Sequence, residues 1–143
     1  MDLSSLREAF KPLVEASHRE KTVKVMGVTV TLRTITPQEE IDIQKAIPDL
    51  NSDEQVTPLE FVDAFRRETL SRSIVQIGDL DLRSVSVLET GEVADSGVKV
   101  KVSKEEGVFE IVNDWSRLIV TKLFEAFTEL VEETEQALNE SPE

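Results

Sequence analysis

The spacing of apolar residues changes period several times along the chain, and each change marks an element. Leu3, Leu6, Phe10, Leu13 and Val14 recur at steps of three and four. That spacing places them on one helical face and predicts a short helix over residues 3–18. Pro12 falls inside the pattern, where its missing N–H and its ring predict a kink or break. From residue 21 the period becomes two: Val23 and Val25 flank Lys24, then Val28, Val30 and Leu32 alternate with Thr29, Thr31 and Arg33. Alternation rich in β-branched residues predicts half-buried strands, and Gly27 suits the positive φ of a tight turn between them.

Three helix starts follow. Thr36-Pro37-Gln38-Glu39 offers a capping hydroxyl, a proline at the first helical position and a capping-box glutamate. Its helix carries Ile41, Ile43 and Ile47 and should end before Pro48, leaving a polar loop over 48–56. Thr57-Pro58-Leu59-Glu60 repeats the device and opens a helix with Leu59, Val62, Phe65, Leu70, Ile74 and Ile77 on or near one face, which Gly78 can end. Leu80, Leu82, Val85 and Val87 then alternate, predicting a third strand with a break at Arg83-Ser84. Residues 89–98, with two Gly and the acidic Glu89, Glu92 and Asp95, predict a solvated linker. Val98, Val100 and Val102 predict a short β segment pairing with residues 80–88. Ser103-Lys104-Glu105-Glu106 is a third capping box, opening a helix with Val108, Phe109, Ile111 and Val112. Asn113-Asp114 interrupts the pattern. Asp114 is then expected to cap a long last helix carrying Trp115, Ile119, Leu123, Phe127, Leu130, Val131 and Leu138.

The expected fold is therefore α+β: an N-terminal β-hairpin or small antiparallel sheet, a mainly helical remainder and a long C-terminal helix. A chain of 143 residues suits one domain. Its divisions are a helix in 1–19, the hairpin plus helices in 20–88, a linker or β segment in 89–102, helices in 103–138 and a tail in 139–143.

Charge narrows the function classes. Sixteen Lys and Arg against 29 Asp and Glu leave −13, and residues 123–143 hold seven Glu and no Lys or Arg. Without a basic cluster such a chain is repelled by phosphate, so neither nucleic acid nor an anionic membrane is an expected partner. No apolar run approaches the roughly 18 residues of a spanning helix, and Met1–Glu8 lacks the pattern of a secretory signal. A soluble protein inside a cell is expected.

Candidate chemistry is sparse. There is no Cys, which removes thiolate metal sites and Cys nucleophiles, and the one histidine, His18, has no second ring to complete a two-histidine site. No glycine-rich phosphate loop and no nucleophile elbow occurs. Glu39-Glu40, Glu105-Glu106 and Glu132-Glu133 are acidic pairs, but Glu39 and Glu106 have capping roles open to them and Glu132-Glu133 belongs to an acidic face. Arg66-Arg67 and Arg72 read as a solvated face or a seat for acidic groups. No catalytic, cofactor-binding or metal-binding residue is expected. The aromatic set is the most informative: Trp115, Ile119, Leu123, Phe127 and Leu130 are either ordinary core or an apolar face for another protein. A possible first partner for such a face is a second copy of the chain.

The order of elements carries a resemblance. A hairpin ending Gly27-Val28-Thr29-Val30-Thr31-Leu32-Arg33 runs into Thr36-Pro37-Gln38-Glu39-Glu40 and a helix. A second helix ends in Arg67-Glu68-Thr69-Leu70-Ser71-Arg72-Ser73-Ile74-Val75-Gln76-Ile77-Gly78. The helical remainder runs from Lys104-Glu105-Glu106 through Trp115-Ser116-Arg117 to Phe127-Thr128-Glu129-Leu130. Over about residues 20–131 this layout resembles the small tail-assembly proteins of tailed bacteriophages, including tail assembly chaperones and T4-type baseplate hub assembly proteins. The resemblance implies a non-enzymatic protein of the host cell cytoplasm that binds phage tail proteins: tape measure, tail tube or baseplate hub. Two alternatives stand beside it: a structural subunit retained in the baseplate or tail of the virion, and an unrelated small acidic enzyme.

Overall fold

The computed structural model describes residues 1–47 and 56–140. The protein is α+β, with an antiparallel sheet in its N-terminal half and a long C-terminal helix. Helix α1 (Leu3–Ser17) starts at Asp2, whose carboxylate accepts the Ser5 N–H at 2.8 Å. It runs unbroken through Pro12, contrary to the break expected there. The whole helix is exposed, so water can satisfy the carbonyl that Pro12 leaves unpaired.

Strands β1 (Glu20–Val25) and β2 (Val28–Arg33) form the expected hairpin, in register from Glu20↔Arg33 to Val25↔Val28. Met26 and Gly27 both adopt positive φ, +53° and +83°. A two-residue turn of the primed kind requires this, and it matches the twist of the strands. Helix α2 (Pro37–Ala46) closes the full capping box between Thr36 and Glu39. The loop expected at 48–56 lies almost wholly outside the described residues.

Helix α3 (Pro58–Ser73) is shorter than its pattern suggests. Residues expected in its last turns form strand β3 (Ile74–Ile77), which pairs antiparallel with β2 and continues into the short β4 (Leu80–Asp81). Spacing of four between Leu70 and Ile74 fits helix and strand alike. The sheet wins because Ile74 and Val75 are buried there and Ser73 Oγ anchors the switch by donating to the Arg33 carbonyl at 2.7 Å. Gly78, at φ +57°, serves the β3–β4 turn and does not cap the helix. The third strand expected over 79–87 reduces to Leu80–Asp81. The main chain then turns, with Leu82 N–H bonded to the Val75 carbonyl at 2.7 Å.

Residues 89–98 are also corrected. Strand β5 (Val87–Val93) and β6 (Lys99–Ser103) make a separate two-stranded ribbon, so the expected linker is half of a hairpin. The partner of β6 is thus 87–93, which meets the expected 80–88 at Val87 and Leu88 and otherwise lies beyond it. Its glycine and acidic content looked like a loop because an exposed ribbon needs backbone pairing but little apolar side chain. A cross-strand pair, Lys99–Glu89 at 3.5 Å, sits on its surface. The ribbon is fastened at its base, where Leu88 abuts Gly107 of helix α4 (Lys104–Asn113) so closely that an added Cβ would lie 2.6 Å from Leu88 Cδ1.

Helix α5 (Arg117–Asn139) is the longest element, as expected, but it begins later. Ser116 caps it, its hydroxyl accepting the Ile119 N–H at 3.4 Å. Asp114 ends α4, and Trp115 lies in the turn between the helices. The core joins Val30 and Leu32 of the sheet, Leu70 and Ile74, Val108 and Val112 of α4, and Val120, Leu123, Ala126, Phe127 and Leu130 of α5.

Candidate protein-binding surface

The residues singled out around the last helix differ in burial. Leu123 and Leu130 are buried in the core and Phe127 nearly so, while Trp115 and Ile119 are half-buried. Of the two readings open for this set, Leu123, Phe127 and Leu130 take the core one, and Trp115 and Ile119 keep part of their surface open. In a chain with a small core, the inner face of the longest helix is needed for the fold.

Trp115 and Ile119 pack at the edge of that core and line a groove on the surface. The tip of the β1–β2 hairpin reaches toward the α4–α5 turn and leaves an apolar groove of about 340 Å³. Val25, Met26 and Val28 form one wall, Ile111, Trp115 and Ile119 the other, with Leu123 at the same site. Met26 is 89% exposed, Ile111 49% and Val28 46%, so the groove rim is open apolar surface. Sequence reasoning found Trp115, Ile119 and Leu123 here and missed Met26, Val28 and Ile111. Ile111 sits within the run Val108-Phe109-Glu110-Ile111-Val112, where Val108 and Val112 share the buried face and Ile111 points elsewhere. A helical wheel of that run could have shown it. Met26 carried no sequence signal beyond preceding a glycine.

A buried cation holds the turn in place. Arg67, 8% exposed, donates from Nη1 to the carbonyl oxygens of Val112 at 2.6 Å and Trp115 at 3.0 Å. Its Nε is bound by Asp63 at 2.8 Å. The Val112 carbonyl at the end of α4 also accepts the Trp115 N–H at 3.0 Å, and the guanidinium adds a charged donor there that complements the helix dipole. Of the two readings for Arg67, a solvated face or a seat for acidic groups, the Asp63 pair fits the second, while its burial and carbonyl bonds were not expected. Its role depends on a contact 48 residues away in sequence, which no local pattern displays. Arg66, its neighbour, lies over the Phe124 ring at 5.6 Å.

Several titratable groups have structural partners. His18 is exposed and ends α1, its backbone N–H bonded to the Glu15 carbonyl at 3.2 Å. Burial pushes the Glu39 carboxyl up, but two short bonds from Arg33, 2.7 and 2.6 Å, and the Thr36 backbone N–H outweigh it and leave the group below its ordinary value. Burial pulls the Lys104 ammonium down, and the nearby Arg33 adds to this. Glu133, expected on a free acidic face, accepts from Lys21 at 2.7 Å. Among the described residues no group of three or more His, Asp or Glu side chains is placed to hold a metal ion. No described helix is long and apolar enough to cross a membrane.

An open groove with a tryptophan anchor, branched aliphatic walls and an adaptable methionine has the composition of a contact for another apolar surface. Comparison with protein-family models, curated proteins and solved structures finds no match for this chain.

Proposed function

We propose that the protein is a non-enzymatic assembly factor for phage tails, which binds other tail proteins through the groove between the β1–β2 tip and the α4–α5 turn. The observation that carries the binding reading is the open apolar rim of Met26, Val28 and Ile111 around Trp115 on a chain of net charge −13. An apolar contact surface on a strongly charged carrier suits reversible coating of an aggregation-prone client, because like charge keeps unbound copies apart. The assignment to tail assembly rests on the resemblance in layout of residues 20–131, with the host cell cytoplasm as the site of action and the tape measure, tail tube or baseplate hub as clients.

The test is purification of the tagged chain from phage-infected cells, with mass spectrometry of the retained proteins and of purified virions. An assembly factor retains tail proteins and is missing from virions. Presence in virions at fixed copy number would make the protein a structural subunit, and retention of no tail protein would remove the proposal.

A further inference from the structure

Helix α1 leaves an apolar face uncovered. Leu3, Leu6, Phe10, Leu13 and Val14 are each at least 41% exposed, and no residue of the helix is buried. On the helical wheel Arg7 and Lys11, one turn apart, border this stripe on one edge, whereas Ala9 and Ala16 lie on the other. Residues 1–19 hold three acidic and three basic side chains, so this segment is neutral in a chain of −13.

A second feature has the complementary character. Between α2, α3 and α5 runs a groove of about 380 Å³ whose apolar lining includes Ile35, Phe65, Phe127 and Val131. Its charged lining among the described residues is acidic, Glu40 from α2 and Glu135 from α5, with no Lys or Arg. The root of α1 is pinned at this groove. Thr34, part of the lining, donates from Oγ1 to the Ser17 carbonyl at 2.8 Å, and Arg19 Nη1 donates to the Glu133 carbonyl of α5 at 3.2 Å. With only His18 between the helix and Arg19, α1 leaves the body beside the groove without laying its stripe in it.

We propose that the apolar stripe of α1 docks in the α2–α3–α5 groove of a second copy, with Arg7 and Lys11 facing Glu40 and Glu135, and that the reciprocal exchange closes a two-fold dimer. Charge selects the occupant. The basic-edged, neutral α1 meets the carboxylates without repulsion, whereas the acidic end of α5 would bring Glu against Glu. Exchange between identical chains satisfies both grooves and both helices at once, which closes the assembly. The Trp115 groove takes no part, so this dimer and the proposed client binding succeed or fail separately.

The experiment is sedimentation velocity on the full chain, with circular dichroism on each variant. The wild type is expected to dimerise in the micromolar range. Phe10→Asp, at a position 55% exposed, keeps the helical signal and raises the dissociation constant at least about tenfold. The double change Arg7→Glu with Lys11→Glu also weakens the dimer, and adding Glu40→Lys with Glu135→Lys restores it. A wild type that stays monomeric at about 100 μM overturns the proposal. So does a dimer indifferent to Phe10→Asp. Weakening by Phe10→Asp without rescue by the paired charge reversals would mean that α1 meets something other than this groove, and overturns it too.

Discussion

Arg67 and Trp115 are joined by a bond from a guanidinium Nη1 to a main-chain carbonyl, 3.0 Å long. The same nitrogen reaches Val112, so one buried side chain from α3 fixes the turn that presents the tryptophan. Replacing Arg67 by Met removes the charged donor from the Val112 and Trp115 carbonyls and leaves the Asp63 carboxylate only the longer contact to Arg117, at 3.8 Å. The expected cost is about 3 kcal/mol, the low end for removing one member of a buried ion pair, since Asp63 keeps some access to water. Trp115 is the chain's one tryptophan, so its fluorescence reports on the turn directly. Denaturant titration should give the stability loss, and folded Arg67→Met should emit at longer wavelength than the wild type.

Core and groove positions should separate under substitution. Leu130→Ala removes a side chain 1% exposed and is expected to cost about 2–5 kcal/mol. Leu123→Asp, equally buried, should abolish the cooperative thermal transition. Ile111→Asp, at a half-exposed position, should shift stability by no more than about 0.5 kcal/mol. A thermal melt of the three variants checks the ordering.

The separation of these residues shows what was legible in the sequence. The hairpin, the three capped helix starts and the long last helix all follow from local chemistry: alternation at Val28–Leu32, the Thr36–Glu39 box, the Thr57 and Ser103 hydroxyls. The failures occur where tertiary pairing decides. Ile74–Ile77 extends a helical pattern yet completes a sheet with β2, and 87–93 lacks an apolar face yet pairs with β6. At the candidate site, Trp115 was legible as a rare large apolar residue. The Arg67 bonds and the opposition of Met26 to Ile111 were not, because each joins residues far apart in sequence.

Acid should act through Glu39. Its folded carboxyl sits below the ordinary 4.5, so the Arg33 pairing contributes stability that is fully present above that value. The contribution is lost as pH falls through the lowered folded value, where the folded state must take up a proton that the unfolded chain already holds. Glu39→Gln should therefore destabilise the protein at pH 7 and flatten the decline of stability below about pH 4.5. Denaturant midpoints measured from pH 7 down to acid for both proteins test this.

Lys104 makes the opposite case. It is 5% exposed, burial lowers its proton affinity, and among the described residues its ammonium forms no ion pair. The folded state therefore carries the cost of a buried charge at neutral pH, and that cost falls as pH rises through the lowered folded value toward 10.5. Lys104→Met keeps the aliphatic stem and removes the charge, so it should raise the melting temperature at pH 7. Differential scanning calorimetry should find that gain shrinking at alkaline pH.

The proposed binding of tail proteins by the Trp115 groove can be checked by comparing two aspartate variants as bait in phage-infected cells. Ile111→Asp places a charge on the groove wall, and Leu80→Asp places one at a position 70% exposed that does not line it. Both should remain folded. Wild type and Leu80→Asp should retain the same tail proteins, and Ile111→Asp should lose them. Equal retention by Ile111→Asp would contradict the proposal.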